Sequence, residues 1–433
     1  MLKRLEWFEE ARYGLFIHWG LYAQLGGIWN GQQYPGGTEW IMRTAKIPFD
    51  EYRKLADTFD PGEFNADDWV CKALDFGCRY LCITAKHHDG FAMFDSAVSD
   101  YTIMHTPFGR DVVKELSDAC GRHGLKFCVY YSQMQDWADP NGDGNSWDYD
   151  PKKKDFSSYF NSKVKPQVRE LLTNYGEIGM IWFDTPYDMP RQLCAELERF
   201  VHSIQPDCII NGRIGYGLGD YRQMGDNEIP VLAYRGAWET PMTLNNTWGY
   251  SQTDTNWKSP KTVVKMLIDV ASKGGNLLIN VGPDAKGCIP EGSVRVLSTV
   301  GGWLKRNGES IYGTQPCADL PYQIRWGGLT RRGAIVYLHL LDVSETPNRL
   351  KICNIETRAK RAYLLSTGEE LPIYQSYELS RDEYRFIVDY PKDKLDGLDT
   401  VIVVEFETPP VPHSLYMTFD KAEDGFSHGG ERE

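Results

Sequence analysis

Between residues 14 and 282 the chain alternates two kinds of segment. Short apolar runs stop on polar groups: Gly14-Leu15-Phe16-Ile17 on His18-Trp19-Gly20, and Tyr80-Leu81-Cys82-Ile83-Thr84-Ala85-Lys86 on His87-His88-Asp89-Gly90. Lys126-Phe127-Cys128-Val129-Tyr130 runs into Tyr131-Ser132, and Gly179-Met180-Ile181-Trp182-Phe183 ends on Asp184-Thr185-Pro186. Aromatic-rich runs of this length bounded by breakers read as buried strands. Residues 208–213 and 276–282 supply two more. The intervening stretches carry helical periodicity over 49–56, 67–74, 111–123 (closed by Gly124), 160–175, 193–204, 261–272 and 294–305. Repeated strand–helix units imply a parallel sheet, and about 300 residues suits a (β/α)8-like barrel.

The pattern changes after residue 313. Only strand-like runs follow, at 334–340, 350–352, 362–365, 384–388 and 400–406, spaced by turn residues. They predict a small antiparallel β-sandwich. The α/β fold therefore divides into a catalytic barrel over 1–312, a sandwich over 313–412 and a polar tail over 413–433, expected to fray from 420 onward. The sequence contains no internal repeat.

Composition narrows the function. The 433 residues are 42% hydrophobic and 13% aromatic, enough for a large core, with Trp and Tyr in supply for stacking on sugar faces. A net charge of −13 argues against a nucleic-acid backbone or an anionic membrane surface as partner. No apolar stretch reaches the ~18 residues of a membrane span. The first residues lack the apolar core of a signal peptide, and the ten cysteines form no C-x-x-C pair. Reduced core thiols in a cytoplasmic protein are the expectation.

Polar groups at the carboxyl ends of parallel strands face the rim where a βα-barrel does its chemistry. Asp184 is the best nucleophile candidate, since its strand fixes it against a rigid sheet; its bland alternative is a helix N-cap in a βα loop. A glycosidase needs a second carboxylate. Asp226 and Glu228 in Gly225-Asp226-Asn227-Glu228-Ile229-Pro230 and Glu239 in Ala237-Trp238-Glu239-Thr240-Pro241 are the candidates, read as one loop region. His18, His87 and His88 have poor spacing for a metal, because neighbours on a strand point to opposite faces. Hydrogen bonding to a polyol is their better use, as neutral imidazole offers a donor and an acceptor.

These residues carry a family resemblance. Trp7-Phe8, the run from Ala11 through Gly20, Glu39-Trp40, Lys86-His87-His88-Asp89-Gly90-Phe91, Tyr130-Tyr131-Ser132, Trp182-Phe183-Asp184, Asn211-Gly212-Arg213, Trp238-Glu239-Thr240, Thr247-Trp248-Gly249-Tyr250 and Gly274-Gly275-Asn276 through Pro283 occur in order. Over nearly its whole length the chain resembles glycoside hydrolase family 29, the α-L-fucosidases. The resemblance implies a retaining enzyme on a barrel followed by a β-sandwich, acting on fucosylated oligosaccharides or glycoconjugates without metal or other cofactor. It leaves room for a homo-oligomer. It matches Asp184 to the nucleophile, and His18, Glu39, Trp40, His87, His88, Tyr131, Trp182 and Arg213 to the residues around the fucose. The Trp-Glu-Thr context favours Glu239 as acid/base, with Glu228 and Asp226 as alternatives. A transfucosidase, another retaining barrel glycosidase and an inactive sugar-binding protein are the competing functions.

Overall fold

The apolar runs between residues 13 and 281 become strands of one parallel sheet in the computed structural model, which describes residues 2–317, 326–342, 348–380 and 382–413. The strands are β1 (Tyr13–Ile17), β2 (Tyr80–Lys86), β3 (Lys126–Tyr131), β4 (Met180–Phe183), β5 (Ile209–Ile210), β6 (Arg222–Gln223), β7 (Trp238–Thr243) and β8 (Asn276–Val281). Their order is β5-β4-β3-β2-β1-β8-β7-β6, and every pairing is parallel. The two end strands are two residues long and meet in one parallel bridge, Asn211–Tyr221. The sheet thus curls into a ring, as the sequence leads one to expect of a (β/α)8-like barrel.

Alternation along the strands divides inside from outside. Phe16, Tyr80, Cys82, Cys128, Tyr130, Met180, Trp182, Ile209 and Leu278 form one buried cluster filling the ring. Gly14 is required at the floor: a Cβ there would lie 2.3 Å from the Tyr80 ring, which crosses its backbone. Helices α1 (Ala66–Asp75), α2 (Val112–His123), α3 (Lys165–Asn174) and α4 (Arg191–Ile204) alternate with strands β1 to β5 along the chain. Asp111 caps α2 by accepting from the Lys114 N–H at 2.8 Å, and Gly124 ends it at φ +69°.

Three expectations need correction. The helix read over 160–175 is broken by a π turn, Phe160–Val164, ahead of α3. The strand read over 208–213 shrinks to β5, because Gly212–Ile214 winds into a 3-10 turn. Residues 238–243, read as loop, are β7 and wholly buried. A run of Trp-Glu-Thr-Pro-Met-Thr has neither apolar alternation nor continuous apolarity, so its strand character is invisible locally.

The chain divides into two compact units, 1–230 with 234–260 and 275–302, and 231–233 with 261–274 and 303–433. The division differs from a single cut near 312, because helix α5 (Pro260–Ser272) belongs almost wholly to the second unit. That unit carries a six-stranded sheet and a three-stranded one, all antiparallel. Val336, Leu338, Leu340, Ile402 and Val404 of the larger sheet share one core with Leu350, Ile352, Phe386 and Val388 of the smaller. Strands Gly327–Arg332 and Ile373–Glu378 were not foreseen. The tail from 414 on lies outside the described residues. No described helix is long and apolar enough to cross a membrane.

Candidate active site

Asp184 stands one residue beyond β4, its side chain on the interior parity of Trp182. Its backbone N–H donates to Gln133 Oε1 at 2.8 Å. The carboxylate accepts from Arg213 Nη1 (2.8 Å), the Tyr130 hydroxyl (3.0 Å) and the Thr185 N–H (2.9 Å), and His88 Nε2 lies 3.6 Å away. Burial alone would raise its pKa, but the Arg213 charge and these donors outweigh burial and hold it below the ordinary value. The group is therefore an ionised carboxylate at neutral pH. The turn that presents it is strained, with β-branched Thr185 at φ +43° and Tyr187 at φ +32°.

The histidines form a wall beside it. Asn280 Nδ2 donates to the Trp248 carbonyl (2.7 Å), so Asn280 Oδ1 accepts from His18 Nδ1–H at 2.6 Å. The Ser132 hydroxyl donates to the Gln135 carbonyl (2.7 Å) and must accept from His88 Nδ1–H, also at 2.7 Å. Each chain of bonds fixes its imidazole as the Nδ1–H tautomer and leaves Nε2 as an acceptor. Burial pushes His18 down to about 3 and His88 to about 4, so both are neutral. His87 stacks on Tyr130 at 5.3 Å, 5.7 Å from His18, and its buried Nδ1 has no protein partner among the described residues. Neutral acceptors in a buried wall suit hydroxyl groups.

Glu39 is also buried, its Oε2 accepting from the Gly249 N–H at 2.9 Å; burial raises its pKa to about 7. Trp40 stands edge-on to His88 at 4.9 Å, and Trp248 lies 5.1 Å from His18. Among the described residues no group of three or more His, Cys, Asp or Glu is arranged to hold a metal ion.

Two expected residues lie elsewhere. Tyr131 points outward: its hydroxyl donates to Gln167 Oε1 of α3 at 2.8 Å, and Lys86 Nζ sits 4.6 Å over its ring. The preceding residue, Tyr130, has the interior parity and bonds Asp184. Glu239 is fully buried opposite Asn276, the first residue of β8, and so sits low in the ring. It accepts from Tyr80, Trp182 and Tyr221, with Trp182 between it and Arg213. Asp226, by contrast, is nearly half exposed and is bonded by Arg213 Nη2, while Nη1 of the same guanidinium bonds Asp184. Glu228 is exposed on the same loop.

Comparison with known proteins places this arrangement. The family model described as Alpha-L-fucosidase matches residues 2–309. The chain belongs to the α-L-fucosidase family, glycoside hydrolase family 29, and is a glycoside hydrolase. Plasma alpha-L-fucosidase of Homo sapiens is 30% identical over 335 residues, covering 71% of this chain and 69% of the relative. The structure of alpha-L-fucosidase from Vibrio sp. strain EJY3 superposes with a TM-score of 0.90 at 33% identity, covering 95% of this chain and 74% of that one. An alpha-L-fucosidase from Lactobacillus casei, solved with its alpha-L-fucose product, is 39% identical with a TM-score of 0.68, covering 71% and 99%.

Behind the histidine wall this family member carries a buried ion cluster. A register shift after Thr84 turns Lys86 outward, where its Nζ meets Asp136 Oδ2 at 3.0 Å; Lys163 Nζ meets the same oxygen at 2.8 Å. The cluster anchors the loop whose Gln135 carbonyl orients Ser132 and hence His88. Asp136→Asn leaves the buried Lys86 ammonium without its carboxylate and Lys163 with only Asp139 at 3.8 Å, and is expected to cost about 3–5 kcal/mol of stability. A shift of the denaturation midpoint at unchanged m-value checks it. Sequence reasoning missed Tyr130, Gln133, Trp248 and Asn280 as site residues. No local signal separates Tyr130 from Tyr131, since the choice follows from the register of β3 against β4, which pairs Tyr130 with Trp182.

Proposed function

We propose that this glycoside hydrolase removes terminal α-L-fucosyl residues from glycans with retention, with Asp184 as nucleophile and Asp226 as acid/base. The observation that carries the reading is the single Arg213 guanidinium bonding both carboxylates, the inner one pinned and ionised, the outer one on the exposed mouth loop. Two carboxylates on one guanidinium suit the ~5–5.5 Å separation of a retaining pair. Asp184 attacks the anomeric carbon while Asp226 protonates the departing oxygen, giving a covalent fucosyl-enzyme. Esterification removes the Asp184 charge and leaves Arg213 to Asp226 alone, which then takes the proton from water. His18, His88 and Glu39 accept from sugar hydroxyls, and Trp40 and Trp248 cover apolar faces.

Hydrolysis of an aryl α-L-fucoside followed by NMR is expected to show the α-anomer of free fucose first, ahead of mutarotation. The β-anomer appearing first would overturn retention, and no cleavage would overturn the substrate class. A panel of α1,2-, α1,3-, α1,4- and α1,6-linked oligosaccharides then identifies the linkage. Because the histidines serve hydroxyls, prolonged chelation is expected to leave kcat unchanged. Loss of rate restored by zinc or calcium would contradict that role.

A further inference from the structure

Glu239 has no part in the mechanism above, yet it is a fully buried carboxylate with three side-chain donors and no ion-pair partner among the described residues. Its Oε2 accepts from the Tyr80 hydroxyl at 2.6 Å, and its Oε1 accepts from Trp182 Nε1 at 2.9 Å and the Tyr221 hydroxyl at 3.2 Å. The Tyr80 hydroxyl and the Trp182 N–H, donors from separate strands, find their acceptor in this carboxyl group, while the Tyr221 hydroxyl also lies 2.8 Å from Met180 Sδ. Among the described residues no cation bonds it directly.

What rests on Trp182 gives this contact its consequence. The Arg213 guanidinium lies 4.8 Å over the indole, and Tyr130 stacks on it at 5.5 Å and 23°. Those two side chains are the long-range donors to Asp184. We infer that Glu239 is a positioning residue: by holding the Trp182 N–H it fixes the surface on which both donors to the nucleophile are seated. The inference rests on the reading of Asp184 as nucleophile.

A loosened indole lets Arg213 and Tyr130 drift, and the ionised form of Asp184 loses its support. The charged and titratable groups facing Asp184 are Arg213, His88, His18 and Tyr130; those facing Glu239 are Tyr80, Tyr221, Cys82 and Cys128, with Arg213 beyond the Trp182 ring. Removing the anchor therefore moves the acidic limb of the kcat/KM profile to higher pH.

The test uses Glu239→Gln, Trp182→Phe and the double variant on aryl fucosides of graded leaving-group acidity. Each single variant is expected to raise the acidic limb by about one pH unit and to lower kcat by about tenfold, by the same factor for every leaving group. The double variant should be no worse than Trp182→Phe, since both act through one contact. A steep leaving-group dependence of Glu239→Gln, with an α-configured azide product, would make Glu239 the proton donor instead. Unshifted limbs with a lowered Tm would reduce it to packing. If Glu239→Gln fails to fold, an unshifted limb in Trp182→Phe alone overturns the inference. Azide rescue of Asp184→Gly is measured alongside: its failure removes the nucleophile reading, whereas rescue with unshifted limbs removes only the anchor.

Discussion

Asp184→Gly is expected to lower kcat by a factor on the order of 10⁴ or more, because no covalent fucosyl-enzyme can form without the carboxylate. Removing the side chain leaves Arg213 and the Tyr130 hydroxyl around a small space beside the anomeric carbon. A small anion such as azide fits that charge, so azide should restore part of the rate and yield the β-configured fucosyl azide. The wild-type pH profile carries the same information. Asp184 is held below its ordinary pKa, so its contribution is present above that value and is lost as pH falls through the lowered one. An acidic limb lying below the ordinary carboxylate range follows. Wild-type turnover in a folded Asp184→Gly protein would overturn the assignment.

Asp226→Ala carries the second largest expected effect, about 10²–10⁴-fold, and its size should depend on the substrate. A natural sugar leaving group needs the proton and suffers the full loss. A dinitrophenyl-type leaving group departs as an anion and is slowed mainly in the second step. Azide, entering in place of water, should now give the α-configured product. Glu228→Ala is the control: its side chain lies exposed on the same loop, and it is expected to keep the parent's leaving-group dependence. Steep dependence in Glu228→Ala, or in Glu239→Ala, would move the role to that residue. The nucleophile assignment survives either outcome.

Local sequence pattern was enough for the strand–helix alternation, the switch to antiparallel strands after residue 313, and the location of His18, His87, His88 and Asp184 at strand ends. Those features are written in local chemistry: continuous apolar runs, an N-cap Asp111, a C-terminal Gly124 and abrupt polar stops. The ordered motifs likewise sufficed to point to the family. The tertiary structure alone decided which member of an adjacent pair faces the ring, Tyr130 and not Tyr131, because parity depends on how β3 is registered against β4. It also decided the level at which each carboxylate sits. Glu239 and Asp226 are thirteen residues apart in a segment that reads as one loop region, and nothing local tells their depths apart. Pairing with Asn276 carries Glu239 to the floor beneath Trp182, while the Arg213 guanidinium gathers Asp226 toward Asp184 at the mouth. Depth in a barrel is set by strand register around the closed ring, a long-range property that the sequence spells out only when all eight strands are in place.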